Sequence, residues 1–190
     1  MLRLDCLRSV YSELEHCLVV TIMGAVAAEL HSLGHRQNYF YLQHAMGLAS
    51  STGLGLALCL PEQTVIVFDG DGSLLMNLGT LSTMARYRPR NLVHVVFDNE
   101  SLLSVGGFPT ATSTGTDLEG IARSAGIPRA LTVRSVENFR TAVCDAVSGI
   151  ELTTIIAKVE ATGPSGYITD LSLLENRFQF RRHIQSLKKA

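Results

Sequence analysis

Two groups of polar residues in the chain have the types and spacing of a metal and phosphate site. Gly70-Asp71-Gly72-Ser73 directly follows an apolar segment, Thr64 to Asp69, and Asn99 directly follows a second one, Leu92 to Asp98. Glycines let backbone N–H groups approach a phosphate closely, and a following helix presents its positive end to the same anion. Asp71 supplies an anionic oxygen and Asn99 a neutral one, which suits the oxygen shell of Mg²⁺. The pattern therefore predicts a site for Mg²⁺ and a diphosphate.

Each half of this pattern also has an ordinary structural explanation. A DG pair after a strand is common turn chemistry, and an Asp-Asn pair at a strand end often caps the next turn. The joint placement favours the functional interpretation, because ligands of an open parallel sheet bind beyond the carboxyl ends of its strands. Both groups stand at such ends, with one helix between them.

The elements that must position these residues follow an alternation of short apolar runs and amphipathic stretches. Between the two segments above, apolar residues recur at three- and four-residue intervals and predict a crossover helix that ends before Pro89: Leu78, Leu81, Met84 and Ala85. Further strands are predicted at Cys17 to Ile22, Ala130 to Arg134 and Thr153 to Val159. Further helices are predicted at Asp5 to Glu15, Ala25 to Leu33, Gly47 to Leu60, Leu118 to Ala125 and Glu137 to Val147. The predicted fold class is α/β, a single doubly wound parallel sheet of about five strands with helices on both faces.

No shift of composition marks an internal boundary, so residues 1–190 are predicted to form a single domain. The segment Glu100 to Thr116 is rich in Gly, Ser and Thr, and a loop of this length in a compact domain is more often functional than idle. The last residues, about 168–190, predict a basic helical tail with Arg177, Arg181, Arg182, Lys188 and Lys189. A solvated basic face and a contact with a partner or an anionic ligand both remain open for it.

The composition excludes several classes of protein. With 16 Lys plus Arg against 17 Asp plus Glu, the chain has no basic surplus for binding nucleic acid, and 46% hydrophobic residues exclude a disordered chain. The apolar run from Cys17 to Ala28 is too short to span a bilayer and follows acidic residues, so neither a membrane protein nor a signal peptide is expected. The four cysteines lie far apart, and we expect them to be reduced and mostly buried, which favours the cytoplasm.

Residues beyond the two polar groups extend the pattern into a family resemblance. Gly70-Asp71-Gly72-Ser73 followed by Asp98-Asn99 resembles the thiamine-diphosphate-binding signature of thiamine-dependent decarboxylases and acetolactate synthases. Upstream, the runs 38–41, 45–51 and 54–58 resemble the corresponding region of the sulfopyruvate and phosphonopyruvate decarboxylase family. Downstream, Gly106-Gly107, Pro109-Thr110 and residues 117–126 continue the likeness, which covers most of residues 15 to 160.

The resemblance implies a role for each matching position. Asp71, the side chain of Asn99 and the backbone carbonyl of Ser101 would bind Mg²⁺. The diphosphate and the rest of the cofactor would contact Gly70, Gly72, Ser73, Leu102 and Leu103. Met46 matches the bulky apolar residue that holds the two rings of thiamine diphosphate in a bent V, so that the aminopyrimidine reaches the thiazolium C2 proton. The implied reaction is the decarboxylation of a small 2-oxo acid.

Two positions depart from the family pattern. His44-Ala45 precede Met46, where the family usually has Gly-Ser. The first of these positions offers its backbone carbonyl to the aminopyrimidine, which His44 can also do, and its imidazole either faces the substrate or points elsewhere. We therefore count His44 with Met46 as a candidate catalytic and cofactor-binding residue. Glu100 stands where several relatives have Gly.

A missing part of the family architecture implies a partner. In this family a glutamate from a separate pyrimidine-binding domain activates the cofactor, and a chain of 190 residues has no room for that domain. The length matches the beta subunit of two-subunit sulfopyruvate decarboxylases, whose alpha subunit supplies the pyrimidine-binding half. A homodimer or hetero-oligomer is therefore expected. Glu29 is a weak candidate for a substitute glutamate, because it lies in an ordinary amphipathic segment.

Other functions remain as alternatives. An acetolactate-synthase-like carboligase shares its first intermediate with a decarboxylase, and a non-catalytic scaffold could retain the cofactor site. The beta subunit of 2-oxoacid:ferredoxin oxidoreductases would need clustered cysteines, which are absent here. Gly53-Leu54-Gly55 fails as a dinucleotide fingerprint because Leu58 replaces the third glycine and no strand precedes it.

Overall fold

A parallel six-stranded sheet forms the centre of the computed structural model, which describes residues 1–164 and 172–188. Its strands lie in the order β2-β1-β3-β4-β8-β7, and every neighbouring pair is parallel. They are β1 (Cys17–Thr21), β2 (Tyr39–Tyr41), β3 (Thr64–Gly70), β4 (Leu92–Asp98), β7 (Arg129–Val133) and β8 (Thr153–Lys158). Two short strands, β5 (Ser101–Leu102) and β6 (Phe108–Pro109), form a separate antiparallel hairpin.

Helices cover both faces of this sheet. They are α1 (Arg3–Val10), α2 (Ala25–Ser32), α3 (Ala49–Cys59), α4 (Asp71–Met76), α5 (Gly79–Tyr87), α6 (Leu118–Ser124), α7 (Val136–Ser148) and α8 (Leu173–Leu187). Helix α1 packs between α2 and α7 on one face, where Phe139 stacks on Phe97. Helix α3 packs on the other face, where Gly53 lies so close to Val67 that a side chain at position 53 would collide with it. The predicted α/β fold class with a doubly wound parallel sheet is confirmed.

The central strands are buried on both sides, which explains their continuous apolar sequences. Every residue of β4 is buried, as is every residue of β3 between its first and last. All five predicted strands are present, with boundaries within two residues of those expected. The expected number of strands was wrong, because β2 adds a sixth at the edge of the sheet. It is only three residues long and depends on a distant residue, since the Asn176 side chain bonds to Tyr39 O and Tyr41 N.

Two predicted helices have different boundaries in the structure. The crossover helix between β3 and β4 is two helices, α4 and α5, because the chain leaves the helical conformation at Asn77. The helix predicted at Asp5 to Glu15 ends at Val10 and is followed by a 3₁₀ turn, Glu13–His16. The loop from Glu100 to Thr116 is more ordered than predicted, because it contains the β5-β6 hairpin and two 3₁₀ turns.

The remaining expectations from composition have mixed outcomes. Cys6 and Cys17 are buried, and burial raises the pKa of both thiols, to about 12 and about 11. Cys59 is exposed and Cys144 intermediate, so the expectation that most cysteines are buried holds for only two of the four.

None of the helices in residues 1–164 and 172–188 has the length and apolar character to cross a membrane. In the basic tail, Arg177, Arg181 and Arg182 are exposed on α8, whereas Lys189 lies outside the described residues.

Candidate functional site

The carboxylate of Asp71 and the carboxamide of Asn99 stand at the ends of two adjacent central strands. Strand β3 ends at Gly70 and pairs with β4 so that Gly70 lies opposite Phe97. Asp71 is therefore the first residue of α4, and Asn99 follows the last residue of β4. Asn99 Oδ1 accepts a hydrogen bond from Ser101 N at 3.1 Å, which orients the carboxamide and brings Ser101 beside it. The predicted convergence of these residues at the carboxyl edge of the sheet is present in the structure.

Two threonines from the long loop hold the acidic residues of this edge. Thr110 Oγ1 donates to Asp71 Oδ2 at 2.5 Å. Thr112 Oγ1 lies 2.8 Å from Asp98 Oδ1 and 3.2 Å from Asp71 Oδ2, so its single hydrogen serves one carboxylate at a time. Lys158 Nζ, at the end of β8, forms an ion pair with Asp98 Oδ2 at 2.7 Å. Asp98 is thereby neutralised by the protein, whereas Asp71 has no basic partner among the described residues.

The environment of Asp71 suits a bound cation. Burial raises the pKa of the Asp71 carboxyl and the nearby Asp98 raises it further, although the hydrogen bond from Thr110 acts in the opposite direction. A buried carboxylate without a counter-ion is unfavourable, and a bound cation removes that cost. Oδ1 receives no side-chain hydrogen bond from any described residue, so one oxygen remains available as a ligand. The oxygen donors of Asp71, Asn99 and the Ser101 carbonyl are of the type that Mg²⁺ prefers.

One cleft brings most of the predicted site residues together. Its lining contains the predicted residues Met46, Gly70, Asp71, Gly72, Ser73, Asn99, Ser101, Leu102 and Leu103. His44 is not among the lining residues, and its side chain is exposed and makes no hydrogen bond with the described part of the chain. The lining also contains residues that the sequence did not single out for this site: Arg3, Ile22, Met23, Ala25, Val26, Phe97 and Ser104.

A pair of hydrogen bonds connects Met46 to the Gly-Asp-Gly-Ser motif. Ser73 Oγ accepts a hydrogen bond from the backbone N–H of Gly47 at 3.0 Å. Asn77 Nδ2 donates to the Gly47 carbonyl at 2.8 Å. Gly47 has a φ of 82°, and a Cβ there would come within 3.3 Å of Asn77 Cβ. The backbone beside Met46 is thus attached to α4, and the Ser73 hydroxyl keeps its hydrogen for a ligand.

The two glycines of the motif have different reasons for being glycine. A Cβ at Gly72 would collide with the Leu102 side chain, because the β5-β6 hairpin lies directly on the first turn of α4. A Cβ at Gly70 would meet nothing of the protein within 4 Å, and Gly70 has an ordinary extended φ of -123°. Protein packing and backbone conformation therefore do not require glycine at position 70. The open space beside Gly70, which lines the cleft, suits a ligand that approaches the backbone closely, as a diphosphate does.

Both departures from the family pattern have left-handed backbone conformations. His44 has a φ of 54° and Glu100 a φ of 59°, a region that favours glycine. Glu100 has compensating contacts, since its carboxylate pairs with Lys158 Nζ at 2.8 Å and its N–H bonds to Asp98 Oδ1 at 3.2 Å. Its hydrogen bond and charge interaction with Lys158 lower the pKa of the Glu100 carboxyl. For His44, the described residues offer no such compensation.

Several residues of the site were missed by the sequence reasoning. Thr110 was quoted only as part of a similar run, and Thr112, Asn77 and Lys158 were given no role. Thr110 and Thr112 come from the loop after β4, Asn77 from the end of α4 and Lys158 from the end of β8, so no single local spacing connects them. Arg3 was likewise given no role in the site.

The fold and the site together define a class of protein, a doubly wound domain with a cleft at the carboxyl edge of its parallel sheet whose oxygen donors suit a metal ion and a diphosphate. Residues 21–157 match the family model described as "Thiamine pyrophosphate enzyme, C-terminal TPP binding domain", and the chain belongs to this family. Thiamine diphosphate, the same compound as thiamine pyrophosphate, is confirmed as the cofactor of the family. The sequence-based assignment to it is confirmed.

Comparisons with individual known proteins agree with this family assignment. The chain is 40% identical to the sulfopyruvate decarboxylase subunit beta of Methanocaldococcus jannaschii, over 82% of each chain. It is 41% identical to the phosphonopyruvate decarboxylase of Streptomyces hygroscopicus, over 68% of this chain and 32% of that protein. The solved benzoylformate decarboxylase of Polynucleobacter necessarius superposes with a TM-score of 0.70 at 16% identity, over 85% of this chain and 34% of that one, and supports the fold alone. The chain therefore spans about a third of the length of the last two proteins.

The contrast between glycines gives a first prediction. Gly70→Ala should leave the free energy of unfolding within about 1 kcal/mol of wild type, because the added methyl group meets no protein atom. It should weaken Mg²⁺-dependent binding of thiamine diphosphate, measured by calorimetry, because the methyl group occupies ligand space. Gly55→Ala is the matched control, since position 55 on α3 is equally open but outside the cleft. Equal affinities for the two variants would contradict the assignment of Gly70 to the cofactor.

The strained position before Met46 gives a second prediction. His44→Gly should raise the free energy of unfolding by about 1 kcal/mol, because glycine adopts the left-handed conformation without steric cost. His44→Ala should not, since alanine retains the steric cost. Denaturant unfolding of the two variants compares them directly. If the alanine variant were as stable as the glycine variant, backbone strain at this position would be ruled out.

Proposed function

We propose that the chain is the beta-type, diphosphate-binding subunit of a thiamine-diphosphate- and Mg²⁺-dependent sulfopyruvate decarboxylase, which converts sulfopyruvate to sulfoacetaldehyde and CO₂. The observation that carries the proposal is the buried Asp71 carboxylate, which lacks a basic partner in the described structure and lies beside Asn99 and Met46 in one cleft. The similarity to a relative named sulfopyruvate decarboxylase subunit beta supports the choice of reaction. The free thiols of the chain are consistent with the cytoplasm, which we propose as its location.

Different residues of the cleft would hold different parts of the cofactor and its metal ion. Asp71 Oδ1, the Asn99 carboxamide and the Ser101 carbonyl would hold Mg²⁺, and Thr110 keeps Asp71 in place through Oδ2. The diphosphate would contact the backbone at Gly70 and Gly72 and the Ser73 hydroxyl. Leu102 and Leu103 would supply apolar contact at this end of the cleft.

Met46 would support the bent shape of the cofactor. When bound, thiamine diphosphate supplies a carbon nucleophile and an electron sink for the loss of CO₂ from a 2-oxo acid. Met46 lines the cleft, and its neighbour Gly47 is fixed to α4 by Ser73 and Asn77. The backbone beside Met46 is therefore held against the helix that would contact the diphosphate. His44, which does not line the cleft, would act only through its backbone carbonyl or after the partner has bound.

A pyrimidine-binding alpha subunit is proposed as the partner. The activating glutamate of the family has no candidate in the cleft, because both oxygens of Glu29 bond to Arg3 and its side chain is buried. Large apolar side chains are exposed near the cleft, among them Met76 at 61%, Val105 at 53% and Phe108 at 64%. Exposed apolar groups of this size are typical of a surface that another protein covers. The similar relative is itself named as one subunit.

The alternatives have less support. A carboligase and a decarboxylase use the same cofactor site, so the cleft does not separate them, but the relatives that match most of the chain are named as decarboxylases. A non-catalytic scaffold needs no cation ligand, whereas Asp71 is buried, oriented by a threonine and free at one oxygen.

The proposed function is tested by a titration with and without the alpha subunit. We expect weak binding of thiamine diphosphate and Mg²⁺ to the isolated chain, and tight binding with release of CO₂ from sulfopyruvate when both subunits are mixed. Asp71→Asn should abolish Mg²⁺-dependent binding while the free energy of unfolding stays within about 1 kcal/mol, because burial already disfavours the carboxylate. Asp145→Asn, at an exposed site, serves as the control.

Three outcomes would contradict the proposal. Substantial turnover by the isolated chain would remove the need for a partner. Tight binding without CO₂ release from any 2-oxo acid would indicate a carboligase or a scaffold. Unchanged Mg²⁺ dependence in Asp71→Asn would remove the metal assignment.

The role of Met46 gives a separate prediction. In the mixed complex, Met46→Ala should lower kcat by about tenfold or more while the Kd of thiamine diphosphate changes less, because the ring geometry loses its support and the diphosphate contacts remain. Leu58→Ala, which truncates an exposed apolar side chain on α3 outside the cleft, is the control. Full activity of Met46→Ala would show that the bent shape does not depend on this residue.

A further inference from the structure

Arg3 is a buried cation that lines the cofactor cleft without being part of the proposed metal or diphosphate site. It is the first residue of α1 and only 4% exposed. Helix α1 is held against the sheet by Cys6, Leu7 and Val10, all of which are fully buried. The cleft is therefore lined by a guanidinium from a helix far from the Gly-Asp-Gly-Ser motif in sequence.

Only part of the guanidinium is used by the protein. Arg3 Nε donates to Glu29 Oε2 at 2.8 Å, and Nη2 donates to Glu29 Oε1 at 2.9 Å and to the Thr162 carbonyl at 3.1 Å. No described residue accepts a hydrogen bond from Nη1, and Nη1 is not among the fully enclosed polar atoms that lack a partner. An Arg side chain has five N–H donors. The two on Nη1 therefore remain for a ligand in the cleft.

A second group of donors lies on the same side of the cleft. Helix α2 begins at Ala25, and its N-cap, Gly24, has no side chain to accept from the first-turn N–H groups. Met23, Ala25 and Val26 line the cleft with Arg3. Helix N-termini attract anions through these N–H groups and the helix dipole. The Nη1 edge of Arg3 and the N-terminus of α2 therefore both favour an anionic ligand group.

We propose that Arg3 is an oxyanion-binding residue of the cofactor cleft, and that its Nη1 edge and the N-terminus of α2 bind an oxygen of a phosphate, sulfonate or carboxylate group. Glu29 neutralises the charge of Arg3 and orients the guanidinium fork, so the attraction comes from directed donors and not from net charge. The inference rests on the proposed function in one respect, namely that the cleft holds thiamine diphosphate and a 2-oxo acid. The oxyanion then belongs to the cofactor or to the acid group of the substrate.

The test uses two variants that should fold. Arg3→Lys keeps a cation beside Glu29 but removes the Nη1 donors. The double variant Arg3→Met with Glu29→Leu replaces the buried pair by apolar side chains, a change that is often tolerated, whereas removing one partner of such a pair is strongly destabilising. Arg8→Lys is the matched control, because Arg8 lies on the same helix and forms an exposed pair with Asp5. Circular dichroism and thermal unfolding verify that each variant is folded.

Binding of inorganic diphosphate, thiamine diphosphate and thiamine is measured by calorimetry with Mg²⁺, and KM and kcat are measured in the mixed complex. If the oxyanion belongs to the cofactor, both Arg3 variants should weaken the two diphosphate ligands by about 10- to 100-fold, as expected for a lost charge-assisted hydrogen bond, and leave thiamine unchanged. If it belongs to the substrate, the Kd of the cofactor should stay constant while KM rises by a similar factor and kcat changes little.

A folded Arg3→Lys variant with unchanged Kd and KM would overturn the proposal and leave Arg3 as a purely structural ion pair. The proposed function fails by a different result. If the wild-type mixed complex binds inorganic diphosphate but not thiamine diphosphate, the thiamine assignment is wrong, and the effect of Arg3→Lys on the binding of inorganic diphosphate by that complex still tests the oxyanion site.

Discussion

The burial of the Asp71 carboxylate is the constraint on which the site depends. The pairing of β3 with β4 places this group at the carboxyl edge of the sheet, where burial disfavours its charge and Asp98 adds to the repulsion. Thr110 holds one oxygen, and Lys158 neutralises Asp98 but not Asp71. The proposed cation at the other oxygen would resolve this imbalance. The long loop, the end of β8 and the first turn of α4 are all arranged around one negative charge.

Helix α4 and its C-cap also fix the backbone beside Met46, the proposed support of the cofactor. Ser73 Oγ accepts a hydrogen bond from the Gly47 N–H, and Asn77 donates one to the Gly47 carbonyl. The backbone beside Met46 is therefore held against helix α4, which begins with Asp71. The break between α4 and α5 at Asn77 is part of this arrangement, because Asn77 directs its side chain to Gly47 and not to solvent. A continuous crossover helix would have been more regular, but it would have left the Gly47 carbonyl without this donor. Irregular backbone at a functional site of this kind is a common compromise between stability and function.

The charged side chains in and around the cleft form ion pairs, and they do not form a basic patch. The Arg3–Glu29 pair is neutral overall and leaves donors beside the cleft, while Lys158 is shared by Asp98 and Glu100 and leaves Asp71 without a cation among the described residues. The two departures from the family pattern fit this picture differently. Glu100 joins the Lys158 network and so compensates for its left-handed conformation, whereas His44 is exposed and gains no such contact.

The amino-acid sequence by itself determined the sheet, the crossover connections and the two polar strand ends. Buried parallel strands are continuous apolar runs and the motif is contiguous, so local patterns carry this information. The edge strand β2 could not be predicted in this way, because it has three residues and depends on Asn176, which lies far along the chain. Likewise, only the tertiary structure brought Arg3 to the cleft, Thr110 to Asp71 and Lys158 to Asp98, and it left His44 outside the lining. These contacts join segments remote in sequence, and only the packing of α1 and of the loop after β4 decides which side chains meet.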